Sequence, residues 1–356
     1  MTHEFMVNTG GDFQATGSIG QRLLAANMDP NVLRPWLDRK TGKSWKTVYN
    51  ARKEKFETVP ATNATLTYDQ WKAIDTAVLA AARTRLRGIA DLESRGLTYN
   101  LDGMASTVLQ YDDVDEMSAA QRSMDPISRG DKDRPDFTTK YLPLPIVFKD
   151  FSLNVRVLNI SQKMGTPLDT RMAEMASRKV AELLEADLFN GTSSYAYGGG
   201  TIYGYRDFTN RNEVTLNAHW NDSAATGATI LDDVISLKQA SINDSYYGPW
   251  VLYIPTNFET AIEADFKAAS DKSIRQRLLE VDGLEDIRVS DTLTADNVIM
   301  VQMTSDVVRL VNGMNISVVQ WDINGGLGIE FKVMAIKVPQ IRADQSGKCG
   351  VIHGSK

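Results

Sequence analysis

The chain has one cysteine, Cys349, and three histidines, His3, His219 and His353, among 356 residues. A single thiol closes no intrachain disulfide, so a disulfide-stapled secreted scaffold is excluded, any crosslink must be intermolecular, and a cytoplasmic assembly environment is expected. His353, four residues past Cys349, brings the count of ligands there to two at most, too few for zinc. No run of eighteen apolar residues occurs, which argues against a membrane span, and Glu4 and Asp12 stand where a secretion signal would place basic and apolar residues. A surplus of positive charge is also missing. With 39 basic against 45 acidic side chains the chain is not built as a nucleic-acid reader that lives on counterion release, although a shell around DNA needs no such affinity. No internal repeat of fixed period exists, which removes solenoids and propellers.

Catalytic motifs fall short as well. Thr41-Gly42-Lys43-Ser44 resembles the end of a phosphate loop, but the glycine needed five residues before Gly42 is Leu37. Gly198-Gly199-Gly200 lacks the strand-to-helix setting and spacing of a dinucleotide fingerprint and reads as a flexible turn. Asp112, Asp113, Asp115 and Glu116 lack the glycine and distal glutamate of a calcium loop and read as a solvated acidic turn. His3 and His353 fall in chain ends expected to be mobile, and His219, beside Trp220 and Asn221, reads as a surface or interface histidine. The expectation is no enzyme, no cofactor and no metal.

What is present is pattern. A chain of this length exceeds one hydrophobic core, so two or three lobes are expected. Phe151, Leu153, Val155 and Val157 alternate with Ser152, Asn154 and Arg156, a strand with one buried face. A long helix over 167–190 follows, with Thr166 as N-cap, Pro167 at its first position, Asp169 completing a capping box and Gly191 as its left-handed stop. Met172, Met175, Ala176, Val180, Leu183, Leu184 and Leu188 mark its core stripe, and Arg171, Glu174, Arg178, Glu182 and Glu185 its polar faces. On that placement Leu183→Asp would stop folding or assembly.

Elsewhere, residues 1–20 read as a flexible polar arm and Ile19–Leu37 as short helical turns broken by Pro30 and Pro35. One helix is predicted between Thr67 and Ile89, closed by arginines at 83, 85 and 87, and others over Thr229–Ser241 and Thr256–Phe266. Trp250–Ile254, Val298–Met303, Val307–Val311 and Ile316–Trp321 read as strands, with Asn312-Gly313 as a tight turn between the last two. Gly328–Val338 alternates over a length suited to pairing beside 146–158. Residues 96–141 lose periodicity and mix charge signs over a stretch too long for an ordinary connector.

The strand leading into a long helix that ends Phe189-Asn190-Gly191, the segment Tyr247–Pro255 and the tail Gly328–Gly350 together resemble the major capsid proteins of tailed phages, a fold shared with encapsulin shells. The resemblance implies an α+β tailed-phage capsid fold: an N-terminal arm with helices (1–95), an extended loop (96–145), a peripheral domain (146–225 plus 320–350) carrying the spine helix (167–190), and an axial domain (226–319). It implies pentamers and hexamers of one chain forming an icosahedral head around double-stranded DNA, with self, portal, scaffolding and decoration proteins as partners and no membrane. Location would be the virion capsid, assembled in the host cytoplasm. Arg129, Lys132, Arg134 and Lys140 are the candidate intersubunit contacts, and no residue is assigned to a covalent crosslink. Gly-rich hinges are expected at 198–200 and 325–328. An encapsulin-like compartment around a cargo enzyme is the alternative, and the length of the chain favours the capsid.

Overall fold

The computed structural model describes residues 6–9, 12–15, 35–38, 41–50, 53, 55–60, 66–83, 86–114, 122, 124, 137–154, 156, 160, 170–222, 225–267, 272–323, 328–344 and 346–356. The chain begins with β1 (Met6–Thr9), β2 (Asp12–Ala15), β3 (Trp36–Leu37), β4 (Ser44–Asn50), β5 (Lys55–Pro60), α1 (Tyr68–Arg83) and α2 (Arg87–Ser94). Next come β6 (Thr98–Asn100), β7 (Val108–Val114), β8 (Phe137–Pro143), β9 (Val147–Asn154), α3 (Arg171–Phe189), β10 (Thr192–Tyr197), β11 (Gly200–Ile202) and β12 (Asn212–Thr215). The remainder is α4 (Gly227–Asn243), β13 (Trp250–Pro255), α5 (Thr256–Glu263), α6 (Ile274–Leu278), β14 (Leu284–Ser290), β15 (Asn297–Gln302), β16 (Val308–Ile323), β17 (Gly328–Ile341) and β18 (Val351–Ser355).

Alternation sets the first large sheet, a four-stranded one in the order β6-β16-β17-β9. β17 runs antiparallel to β9 from Gly328↔Asn154 to Ala335↔Val147, the pairing the two alternating segments predict. Its residues Ile329, Phe331, Val333 and Ala335 bury one face against α1 and α3. There Phe331 stacks on Phe151 with centroids 5.0 Å apart and meets the edge of Trp71 at 6.4 Å. A second, five-stranded sheet runs β12-β18-β15-β13-β14. Every residue of β13 is buried because both faces of that sheet are covered: Val251 and Tyr253 join the core under α3, while Leu252 and Ile254 join one made with Val234, Leu237, Phe258 and Ile262 of α4 and α5. Each such side chain stabilises the fold by ~1.5–3 kcal/mol.

Five sequence expectations change. The long helix is observed as α3, with Gly191 at φ +74 as its stop, while Thr166, Pro167 and Asp169 lie outside the described residues. Its buried stripe is Ala173, Ala176, Ser177, Val180, Ala181, Leu184, Glu185 and Leu188; Met172, Met175 and Leu183 are 46%, 64% and 50% exposed. Small residues win the inner face because α1 approaches closely: Ser177 Oγ donates to the Val78 carbonyl at 2.6 Å. Leu183→Asp is therefore expected to cost the subunit under ~0.5 kcal/mol, whereas Leu184→Asp, at a position 1% exposed, buries an unpaired carboxylate and costs about 4 kcal/mol or more. Urea unfolding of the two neighbouring variants decides the placement.

The helix predicted over Thr67–Ile89 is two helices, α1 and α2. α1 starts in a capping box, with Thr67 N donating to Gln70 Oε1 at 2.9 Å and Gln70 N to Thr67 Oγ1 at 3.4 Å. Arg87 opens α2 instead of closing a helix, and its guanidinium donates to the Val289 carbonyl at 3.0 Å. Asn312-Gly313 is no turn but lies inside the continuous strand β16, at a register shift. Glycine is required there by close backbone approach, since a Cβ on Gly313 would come 2.8 Å from Gly103 Cα. Trp36 and Leu37 pair with β4 as a strand, not a helical turn, and Gly42 at φ +64 lies in the connection between β3 and β4. The helix predicted to reach Phe266 ends at Glu263.

Candidate functional site

Among the described residues, strands β7 and β8 pair only with each other, in unbroken register from Val108↔Pro143 to Val114↔Phe137. An isolated two-stranded ribbon is marginal in water, so its root must be held. Leu142 and Leu144 are 4% and 5% exposed and pack with Ile202, Met334 and Ile336 against the four-stranded sheet's outer face. The Leu144 N–H donates to the Thr107 carbonyl at 2.9 Å. The β10–β11 hairpin locks the same root: a Cβ on Gly200 would sit 2.0 Å from the Tyr141 carbonyl oxygen, and one on Gly198 2.6 Å from Val108 Cγ2. Gly198-Gly199-Gly200 is thus a packed turn of a short hairpin, with Gly198 and Gly199 at positive φ. Away from the root, Thr139 Oγ1 donates to Asp112 Oδ1 at 2.9 Å, so this aspartate braces the ribbon.

Apolar surface is left uncovered around this projection. Tyr141, Tyr195 and Tyr197 flank the root, and Ile146 and Phe148 are exposed on the adjoining segment. Lys332 lies 4.1 Å from the Phe148 ring centroid and 5.6 Å from that of Trp321, and 3.7 Å from Asp150. Met172, Met175 and Leu183 form a further exposed stripe on α3. Patches of this kind mark surfaces made for partners.

Between the two large sheets sits α2. No side chain of its own caps its N-terminus; Glu185 of α3 does so, accepting from Gly88 N at 2.7 Å and more weakly from Ile89 N at 3.5 Å. The approach is close enough that a Cβ on Gly88 would meet Leu188 Cδ2 at 2.8 Å. Glu93 pairs with the buried Lys337 of β17 at 2.6 Å, Asp91 accepts from Tyr253 Oη of β13 at 3.2 Å and faces Arg288 of β14 at 3.6 Å, and Arg95 pairs with Glu285. Burial, opposed by the backbone donors and reinforced by Asp91, pushes the Glu185 carboxyl up to about 7. The sequence reading placed Glu185 on a polar face. Its three- and four-residue spacing from Ala181, Leu188 and Phe189 was the signal for the buried stripe.

His353, expected in a mobile end, is instead 7% exposed in β18, between β12 and β15. Its Nδ1 accepts from Arg211 Nε at 3.3 Å, which makes Nε2 the protonated nitrogen facing Asn297 Oδ1 at 2.6 Å. Burial and then Arg211 push it down to about 4. Cys349 is fully buried, its Sγ 3.5 Å from the Arg342 carbonyl oxygen, and burial pushes the thiol up to about 12, so no thiolate is presented for crosslinking. His219 is partly exposed, 3.4 Å from Asp296, as a surface histidine would be.

Of the predicted contact residues, Lys140 stands on β8 opposite Tyr111, while Arg129, Lys132 and Arg134 lie outside the described residues. The acidic pair Asp115 and Glu116 and the hinge at 325–327 lie outside them too. Among the described residues, no group of three or more His, Cys, Asp or Glu side chains is placed to hold a metal ion, and no helix is long and apolar enough to cross a membrane.

Comparison with known proteins agrees with this geometry. The chain has the fold of tailed-phage capsid subunits. It is similar to a virus-like particle from Pyrococcus furiosus at 16% identity and TM-score 0.59, over 81% of this chain and 99% of that one. It is similar to the capsid of Myoviridae phage XM1 at 11% identity and TM-score 0.55, over 73% and 90% of the two chains. A third likeness is to the capsid of a native GTA particle, at 12% identity and TM-score 0.53, over 72% and 86%. No curated protein matches the sequence. Residues 60–354 match the model of a family described as one of unknown function, DUF6260.

Proposed function

Since this chain belongs to the DUF6260 family and carries the tailed-phage capsid fold, we propose that it is a major capsid protein whose copies close into the icosahedral head of a phage, as pentamers and hexamers around double-stranded DNA. The observation that carries the reading is the β7–β8 ribbon, which pairs with nothing else among the described residues yet has a root packed as firmly as core. A projection of that kind gains its remaining partners from another copy. The four-stranded sheet with α3 serves as the peripheral unit, and the five-stranded sheet with α4, α5 and α6 as the axial one. Lys140 belongs to the intersubunit contacts, with Arg129, Lys132 and Arg134 further along the same segment. Many modest contacts per subunit sum to a stable shell through multivalency. Portal, scaffolding and decoration proteins are the further partners, packaged DNA is held by enclosure, and the virion, assembled in host cytoplasm, is the location.

A compartment that encloses a cargo protein is the second reading, supported by the likeness to the Pyrococcus furiosus virus-like particle, which spans nearly all of that chain. Electron microscopy of the purified protein tests both. Closed particles with five-fold vertices are expected, and their content, DNA or a defined protein, separates the readings. A chain that stays monomeric at high concentration would overturn both.

A further inference from the structure

At one end of the four-stranded sheet's outer face, hydrogen-bond donors gather with no carboxylate among the described groups that reach them. Arg309 of β16 stands opposite Gln340 of β17, and its Nε donates to Gln340 Oε1 at 2.6 Å. That bond fixes the amide, because rotating it would set N–H against N–H. Gln340 Nε2 therefore keeps two protons, and in a side chain 1% exposed it has no hydrogen-bond partner among the described residues. Leaving such a donor unmatched costs ~1–3 kcal/mol.

Arg342 completes the group. Its N–H donates to the Val307 carbonyl at 2.8 Å, so the ladder runs one rung past β17, and the two-residue period of a strand sets Arg342 on the Gln340 side. The Arg309 guanidinium lies 5.0 Å from the Tyr99 ring centroid, at the sheet's β6 edge. The charged or ionisable groups that reach it are Arg342, Tyr99 and Tyr111, with no carboxylate among them. Burial and the neighbouring cation hold this arginine below its ordinary range. In a chain with more acidic than basic side chains, two arginines near one another, one of them bonded to an amide that lacks an acceptor, make an arrangement suited to an oxyanion.

We propose that Arg309, Arg342 and the Gln340 amide form a binding site for an oxyanion, met either by free phosphate or by a carboxylate of a second copy of this chain. Planar guanidinium forks suit either, and a bound oxygen would give Gln340 Nε2 its acceptor.

Thermal unfolding of the full-length chain tests it, with inorganic phosphate titrated against sodium chloride at matched ionic strength. Phosphate is expected to raise the midpoint by a few degrees in a saturable way, and Arg342→Gln, at a partly buried position, to weaken that binding roughly tenfold or more. Equal effects of phosphate and chloride, or an undiminished response in Arg342→Gln, would overturn the site. Calorimetric titration of assembled particles separates the sources: phosphate binding lost on assembly assigns the site to a neighbour's carboxylate, and binding retained assigns it to the free ion. The unfolding assay is run on the unassembled subunit, where the site is open to phosphate whichever source fills it in a particle, so its failure leaves the shell reading untouched.

Discussion

Replacing residues 113–138 with an Asn-Gly pair is expected to leave the subunit folded and to abolish closed particles. Asp112 and Thr139 are directly opposed in the β7–β8 ladder and joined by a side-chain hydrogen bond, so a two-residue link between them closes a type I′ turn in the existing register. Leu109, Tyr111, Leu142 and Leu144, which pack the root, are all kept. The unfolding free energy should change by no more than about 1 kcal/mol, because the deletion removes no side chain of that root cluster. Particle yield, read by sedimentation and negative-stain microscopy, should fall to background if the ribbon makes its contacts in a neighbouring copy. Particles at parental yield from the shortened chain would remove the ribbon from the assembly contacts.

The second large effect is on pH dependence, where two buried groups oppose each other. Glu185 is raised from 4.5 to about 7, so the folded state holds its proton more tightly than the unfolded chain does. Its contribution to stability is present below about 4.5 and is lost as pH rises toward 7. His353 is lowered from 6.5 to about 4, so its contribution is present above 6.5 and is lost as pH falls toward 4. At ~1.36 kcal/mol per unit, each amounts to roughly 3 kcal/mol, less where solvent reaches the His353 ring. The two slopes oppose each other over the shared window, so the parent protein should show a shallower profile there than either group alone would give.

Substitution separates them. Glu185→Gln keeps an oxygen to accept from Gly88 and removes the charge, so the profile should tilt toward stability rising with pH through the acidic range, as His353 titrates without Glu185 against it. His353→Gln should give the opposite tilt. Around Glu185 the facing groups are Asp91, Arg87, Tyr205 and Tyr253, and around His353 they are Arg211, Glu213, Arg206 and Asn297. Asp91 and Asp187 are also raised by burial and add to the Glu185 slope at its lower end. Urea unfolding across the acidic range measures all three proteins; a Glu185→Gln profile as flat as the parent's would mean the two groups do not oppose each other.

The parts of the fold that were legible in the sequence are those set by one local period. Alternation over 151–157 and 328–338 is enough to set the segments that form β9 and β17 side by side, and the apolar run of β13 between two prolines reads as a buried strand. What local pattern missed came from contacts distant in sequence. Hydropathy favoured Met172, Met175 and Leu183 over Ala173, Ser177 and Ala181, but the proximity of α1 rewards small side chains. Asn312-Gly313 carries a turn signal, yet its glycine answers to Gly103, far upstream. The break between α1 and α2 is stabilised by a glutamate on α3, which no reading of residues 67–89 contains. For the candidate site, the stretch 96–141 was legible as too long for an ordinary connector, whereas the ribbon's root could not be seen because Ile202, Met334 and Ile336 come from elsewhere in the chain.

The eight residues of α2 deserve weight beyond their length. Through Glu93 the helix is tied to β17, through Asp91 and Arg95 to β13 and β14, and through its first amides to α3. Struts in three directions make a keystone: neither half of the molecule can tilt without shearing bonds that the other half holds. In a shell of the kind proposed, differences in curvature from place to place would fall on the ribbon at the edge of the tile, with the braced body turning as a single block.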